Sequence, residues 1–264
     1  MTKISKLELV IRKYINNPRK LYSLLPYPAA WNKLTSSLDV IGDTELALNA
    51  FLDNEWPKDD GGKYLMIYGV LQGLFIQQDA TKNLAEALNI TYSVDPILKE
   101  IREVRHDSIG HPTKREKLSK KIKEELCYNF IARGTMSRQG FMLMKTFPDG
   151  KTPQFINVNI PDLIGKQREL LAKLLSNIIE ILKKEEEEHR IMYEDQKLIN
   201  IFPKTLGYYI EKIYESTRGN KPNKFGELHV DLILKCINEF EYALKERGIL
   251  NNHKYSINEI NYPL

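Results

Sequence analysis

Cysteine is scarce. The chain has two, Cys127 and Cys236, far apart and in no CxxC pair. That excludes a disulfide scaffold and a zinc ribbon and fits a reducing cytoplasm. Long apolar runs are missing too. The longest near-apolar stretch, Tyr64 to Ile76, contains Gln72 and is too short for a membrane span. The opening MTKISKLELVIRKY is broken by charge too often for a signal-peptide core. There is no internal repeat and no Pro/Gly/Ser-rich linker. Charge of one sign is not in excess: 39 Lys and Arg face 35 Asp and Glu, a net +4 that is too small to prove a nucleic-acid partner. What is present is ordinary globular composition, 42% hydrophobic and 28% charged over 264 residues. One large or two modest domains are expected. Folding should bury roughly three quarters of the unfolded chain's surface, so no disulfide or metal staple is needed.

Most of the chain has helical periodicity. Ile4, Leu7, Val10, Ile11 and Tyr14 share a face of a first helix that ends near Pro18. Pro26, Pro28 and Trp31 mark an irregular segment, and Asp43 or Thr44 then reads as the N-cap of a helix that stops before Pro57. A longer helix follows Gly61-Gly62, with Ile67, Val70, Leu71, Leu74, Phe75, Leu84 and Leu88 as its stripe. It is apolar almost all round up to Ile76, so neighbours should cover most of it. Gln77, Gln78 and Asp79 then interrupt it. They read either as a satisfied buried network or, for Asp79 or Gln78, as support for a nearby site.

The next helix runs from about Val94 to Ser108. Thr113 to Glu116 reads as a T-x-x-E capping box that opens another, with Cys127 on its apolar face. Phe141 to Asn159 is rich in Phe, Val, Thr and Ile around a Pro148-Asp149-Gly150-Lys151 turn, which predicts a β-hairpin. Pro161 starts a long helix that ends in Lys183 to His189. Two more follow, about Lys204–Thr217 and Phe225–Arg247, the second striped by Leu228, Leu232, Cys236, Phe240 and Ala243.

Common catalytic motifs fail. Gly150-Lys151-Thr152 lacks the glycine of a phosphate loop, because Lys145 stands five residues earlier and Pro153 prevents a helix start. His106-Asp107 suggests a metal pair, but no histidine precedes it to complete the shell. No H-E-x-x-H, G-x-S-x-G or G-x-G-x-x-G occurs.

The informative stretch is Ile101 to Arg115, IREVRHDSIGHPTKR. Arg102 and Arg105 fall in the last turns of a helix. Gly110 is placed to close it in the left-handed conformation. Pro112 turns His111 away from helical backbone, and Thr113 restarts a helix. This predicts a sharp helix–turn–helix that brings Arg105 beside His111, with Arg102 and His106 stacked at i and i+4. Arginine offers a charged fork for phosphate oxygens, and histidine exchanges protons near neutral pH. Such a pair could cleave RNA without a metal, because the ribose 2′-hydroxyl supplies the nucleophile. The following helix carries Lys114, Arg115, Lys117, Lys120, Lys121 and Lys123 against Glu116 alone, an excess suited to a nucleic-acid backbone or to a solvated face.

The segment Arg105-His106-Asp107-Ser108-Ile109-Gly110-His111 resembles the signature of the HEPN superfamily: an arginine, four to six residues, then a histidine, with Asn, Asp or His favoured after the arginine. Tyr64 to Asp79 resembles the helix that precedes the signature, and Asp39 to Leu48 the first helix of stand-alone members. The likeness covers about Ser36 to Lys184. It implies an all-α, HEPN-like helical bundle, here with one inserted β-hairpin and extra C-terminal helices. The expected divisions are an N-terminal helix and irregular segment over 1–35, the HEPN-like domain over 36–190 with its hairpin at about 141–159, and a C-terminal helical extension over 191–264. The resemblance implies a homodimer whose two bends form one composite site of a metal-independent, cofactor-free endoribonuclease, with no membrane association. Members act as toxins, phage-defence effectors or RNA-processing enzymes, some with an antitoxin partner. Arg105 would bind the scissile phosphate, His111 would serve as the acid–base group, and His106 would shape the site. Arg102, Asp107 and Asp79 would support it, and Lys114, Arg115 and Lys117 would contact RNA. Other members are non-catalytic sensing or binding modules, which is the alternative reading here.

Overall fold

The computed structural model describes residues 1–17, 20, 21, 24, 27–110, 112, 113, 126–218 and 224–248. Two compact units result: Met1–Tyr14 with Tyr27–Leu182, and Ile15–Pro26 with Lys183–Leu264. The described residues are mostly helical with one small sheet, and no described helix is long and apolar enough to cross a membrane.

In the first unit, α1 (Lys3–Ile15) buries Ile4, Glu8 and Ile11. Val10, expected inside, is exposed, because the buried row follows i, i+4 spacing from Ile4 through Glu8. The Glu8 carboxylate is held by Arg12, which also donates to Asp39 at 2.7 Å. Helix α2 (Pro28–Asp53) starts at Pro28, whose fixed φ suits a first helical position, and runs unbroken through the segment expected to be irregular. Thr44 is therefore not an N-cap. Its hydroxyl donates to the Val40 carbonyl one turn back at 2.6 Å.

Helix α3 (Asp60–Ala87) is capped by Asp59, whose carboxylate accepts from the Gly62 amide at 2.8 Å. Lys33 meets Glu86, Glu45 meets Gln77, and Leu48 lies against Gly73, a descending register that makes α2 and α3 antiparallel. Both expected glutamines enter a buried polar ladder. Gln77 donates to Glu45 at 3.1 Å, Gln167 donates to Gln77 at 2.9 Å, and Gln78 donates to Gln167 at 2.7 Å. Arg168 adds an ion pair to Glu45 at 2.9 Å. Gln167 and Arg168 lie on α5 (Ile160–Tyr193), so the ladder fixes the register of three helices. The apolar stripe of α5, Leu171, Leu175, Ile178 and Leu182, is buried.

The sheet is antiparallel in the order β1-β2-β3, with β1 Tyr128–Ile131, β2 Gly140–Thr146 and β3 Gln154–Asn159. The β2–β3 hairpin falls where the sequence predicts it. Gly140 has φ +135°, and a Cβ there would lie 1.8 Å from the Val158 carbonyl oxygen. Strand β1 corrects the helical reading of this region: Cys127 is buried immediately before a strand, not on a helix face. Opposed residues share a face, so Asn129, Phe141, Leu143 and Val158 turn inward, while Phe130, Met144 and Phe155 form a row on the other side.

In the second unit, α6 (Leu206–Thr217) and α7 (Lys224–Glu246) match the expected helices. Their core is Ile233, Ile237 and Leu244, packed by Leu206, Tyr209, Ile213 and Phe240. Phe240 and Ala243 of the expected stripe face this core, but earlier in the helix the stripe is rotated by one position, and Leu228 is exposed.

Candidate functional site

Helix α4 (Pro96–Arg105) is set by local chemistry: Pro96 occupies the first position, and the Asp95 carboxylate accepts from the Ile97 amide at 2.8 Å. Leu98 and Ile101 bury its inner face. That leaves Arg102 and Arg105 on a half-buried face directed at α3. The helix does not stop at Arg105. It passes into a π-helical turn, His106–Gly110, in which Asp107 and Ser108 are buried. Gly110 does not adopt the expected left-handed conformation. A π turn stands where that cap was expected, and glycine serves another purpose there: a Cβ would lie 2.8 Å from Arg105 Nη1.

Phe75 of α3 gathers the predicted residues. The Arg102 guanidinium carbon lies 4.2 Å and that of Arg105 4.5 Å from its ring centroid, and the His106 ring lies 5.8 Å away. Arg105 donates through Nε and Nη2 to Gln72 Oε1 at 3.2 and 2.9 Å. Arg102 donates to Asp79 at 2.8 Å. Asp79 thus supports Arg102, while Arg105 rests on a neutral amide. His111, Lys114, Arg115, Lys117 and the rest of the basic run, together with Glu116, lie outside the described residues.

Two residues central to this arrangement, Gln72 and Phe75, were not singled out as site residues from the sequence. A signal was available: Tyr68, Gln72, Phe75 and Asp79 fall at i, i+4, i+7 and i+11, one face of α3. The same face leaves Leu65 74% exposed, Tyr68 44% and Ile76 37%. Neighbours cover this helix on its other sides and leave this one stripe open.

Chemically, the arrangement presents a permanent cation, flattened on an aromatic ring and oriented by an uncharged acceptor, at the mouth of a turn that leads directly to His111 in sequence. Among the described residues, no three His, Cys, Asp or Glu side chains gather as metal ligands. No family model, curated protein or solved structure matches this chain.

Proposed function

We propose that this protein is a metal-independent endoribonuclease of the HEPN type. The observation that carries the reading is the fixing of Arg105 by Gln72 and Phe75, six positions ahead of His111. A guanidinium held by a neutral amide keeps its full charge for a phosphate, whereas one held by a carboxylate does not. Arg105 binds a nonbridging oxygen of the scissile phosphate. His111 takes the proton of the ribose 2′-hydroxyl as its oxygen attacks phosphorus, or delivers a proton to the leaving 5′-oxygen. The P–O5′ bond breaks, and a 2′,3′-cyclic phosphate and a 5′-hydroxyl result. His106, beside Phe75, shapes the site, and Lys114, Arg115 and Lys117 hold the RNA backbone.

A composite dimer site belongs to this reading. The exposed stripe of Leu65, Tyr68 and Ile76 supports it, since it adjoins Gln72 and Phe75 on one helix face. A toxin or phage-defence role in the cytoplasm, with an antitoxin or regulator as partner, is the corresponding biology. The second reading, a non-catalytic HEPN-like binding module, is favoured by one observation: Arg105 already directs two N–H groups at Gln72. RNA cleavage in EDTA separates the two. The nuclease cuts RNA in EDTA, and His111→Ala stops cutting without altering the fold. Cleavage that survives His111→Ala defeats the assignment.

A further inference from the structure

The sheet has two edges, and the chain occupies one of them. On the β1 side, the Asn129 amide donates to the Pro112 carbonyl at 2.8 Å. On the β3 side, no further strand follows among the described residues, and every residue of Gln154–Asn159 except Val158 is exposed.

The ladder decides which backbone groups that open edge offers. Ile160, just past β3, donates to the Gln139 carbonyl at 3.0 Å, and Ala132 donates to Met142 at 2.9 Å. Bonding alternates along an antiparallel strand. Gln154, Ile156 and Val158 therefore bond to β2, and the N–H and C=O of Phe155 and Asn157 point outward. Asn159 points the same way but caps α5: its Oδ1 accepts from the Asp162 amide at 3.0 Å, and a cap's carbonyl accepts the first bond of its helix. It offers the edge a donor alone. Pro153, also outward, has no N–H and offers an acceptor alone.

Such an edge is complementary to itself. Laid antiparallel about a two-fold axis at Ile156, it sets Phe155 against Asn157 of the second copy, and each such pair exchanges both bonds. The acceptor of Pro153 meets the donor of Asn159. A foreign strand, with both groups at every position, would leave its own groups unpaired at these two ends. Side chains agree. Ile156 lies on the core side, paired with Leu143, yet is 40% exposed, and on the axis the two isoleucines cover each other. The strand carries no charge, so identical copies do not repel, and it lacks the lysine that commonly guards an edge.

We propose that β3 pairs antiparallel with β3 of a second copy and joins the two sheets into one. A strand this short buries less than the ~1,200 Å² of a lasting interface, so the contact forms as protein concentration rises. It uses neither the α3 stripe nor cleavage; where the α3 stripe holds a dimer, the edge links dimer to dimer.

The test is disulfide trapping in the full chain carrying Cys236→Ser, which leaves the buried Cys127 as its native thiol. Facing Cα atoms of a non-hydrogen-bonded pair stand about 4.5 Å apart, within disulfide reach. Under mild oxidation Ile156→Cys should form the covalent pair at least tenfold faster than Asn157→Cys, which is exposed on the same strand but faces Phe155. Two edge variants should each slow trapping of Ile156→Cys at least tenfold. Asn157→Pro removes an outward N–H that β2 does not use, and Phe155→Lys places a charge at a position 61% exposed. Phe155→Lys should leave the melting temperature unchanged. By light scattering at high concentration, the native chain should have a larger mass than Phe155→Lys. Equal trapping at the two cysteine positions overturns the proposal, as does trapping that both edge variants leave unchanged. Equal masses of the native chain and Phe155→Lys overturn it too. None of these readouts involves RNA, so the nuclease reading can fail while the edge contact stands, and the reverse.

Discussion

Arg105 and Gln72 meet through one oxygen: the arginine Nε and Nη2 both donate to Gln72 Oε1, at 3.2 and 2.9 Å. The acceptor is uncharged, so the guanidinium is oriented without being neutralised. Gln72→Glu would keep the geometry and add a competing anion. Folding stability should change by no more than about 1 kcal/mol, the usual range for a partly exposed ion pair. RNA cleavage should fall by about tenfold or more, since each factor of ten is ~1.4 kcal/mol of lost transition-state stabilisation. Single-turnover rates beside thermal melts of the two proteins check this. Unchanged cleavage would mean that Arg105 does not meet the phosphate.

Gly110 gives a second, independent handle on the same guanidinium. A methyl group there would press on Arg105 Nη1 from 2.8 Å. Arginine is flexible at its far end, so the fold should survive Gly110→Ala, helped by the ~1 kcal/mol preference of helical backbone for alanine over glycine. Cleavage should drop about tenfold while the melting temperature holds within a few degrees. Loss of folding would show instead that the π turn cannot accept a Cβ at all.

The buried ladder makes a prediction about stability alone. Glu45, 1% exposed, receives Gln77 and the ion pair from Arg168. Glu45→Ala leaves a largely buried cation and an amide without their partner and should cost about 3 kcal/mol. Glu45→Gln, which retains shape and one acceptor, should cost less. Urea denaturation of the three proteins measures both differences. An equal loss in the two variants would assign the effect to charge rather than to packing.

The apolar stripe on α3 should be where two copies meet. Leu65 is largely exposed, so Leu65→Arg should leave the monomer fold and melting profile nearly unchanged. It should shift the protein from dimer to monomer by sedimentation and abolish cleavage, because the composite site is then incomplete. A dimer that persists places the interface elsewhere.

Much of the fold was readable from pattern. The hairpin announced itself by β-branched residues around a Pro-Asp-Gly turn, and the glutamines of α3 were marked as polar residues inside an apolar run. The failures have physical causes. Thr44 has the chemistry of an N-cap, yet a threonine hydroxyl can equally bond the carbonyl one turn back, and local sequence does not separate the two. Strand β1 has only four residues and follows a lysine-rich stretch that reads as a helix, so its pairing with β2, a tertiary effect, was hidden. In α1 the expected Ile4 and Ile11 are buried and only Val10 fails, and in the first half of α7 the helical period was right but the phase was off by one, because Glu8 and His229 occupy buried positions that a hydrophobic pattern skips. At the site, the chemistry-bearing Arg105 stood out by type and spacing, but its holders did not. Gln72 lies 33 residues upstream and is joined to it only by the packing of α4 on α3.

The most direct measurement is the identity of the ends left on a cleaved RNA. Attack by the 2′-hydroxyl, with Arg105 on the phosphate and His111 moving the proton, must leave a 2′,3′-cyclic phosphate on one fragment and a 5′-hydroxyl on the other. Mass spectrometry of a short RNA incubated with the protein in EDTA should find those two ends, and neither with Arg105→Ala or His111→Ala. Intact RNA, or fragments bearing a 3′-hydroxyl and a 5′-phosphate, would contradict the account.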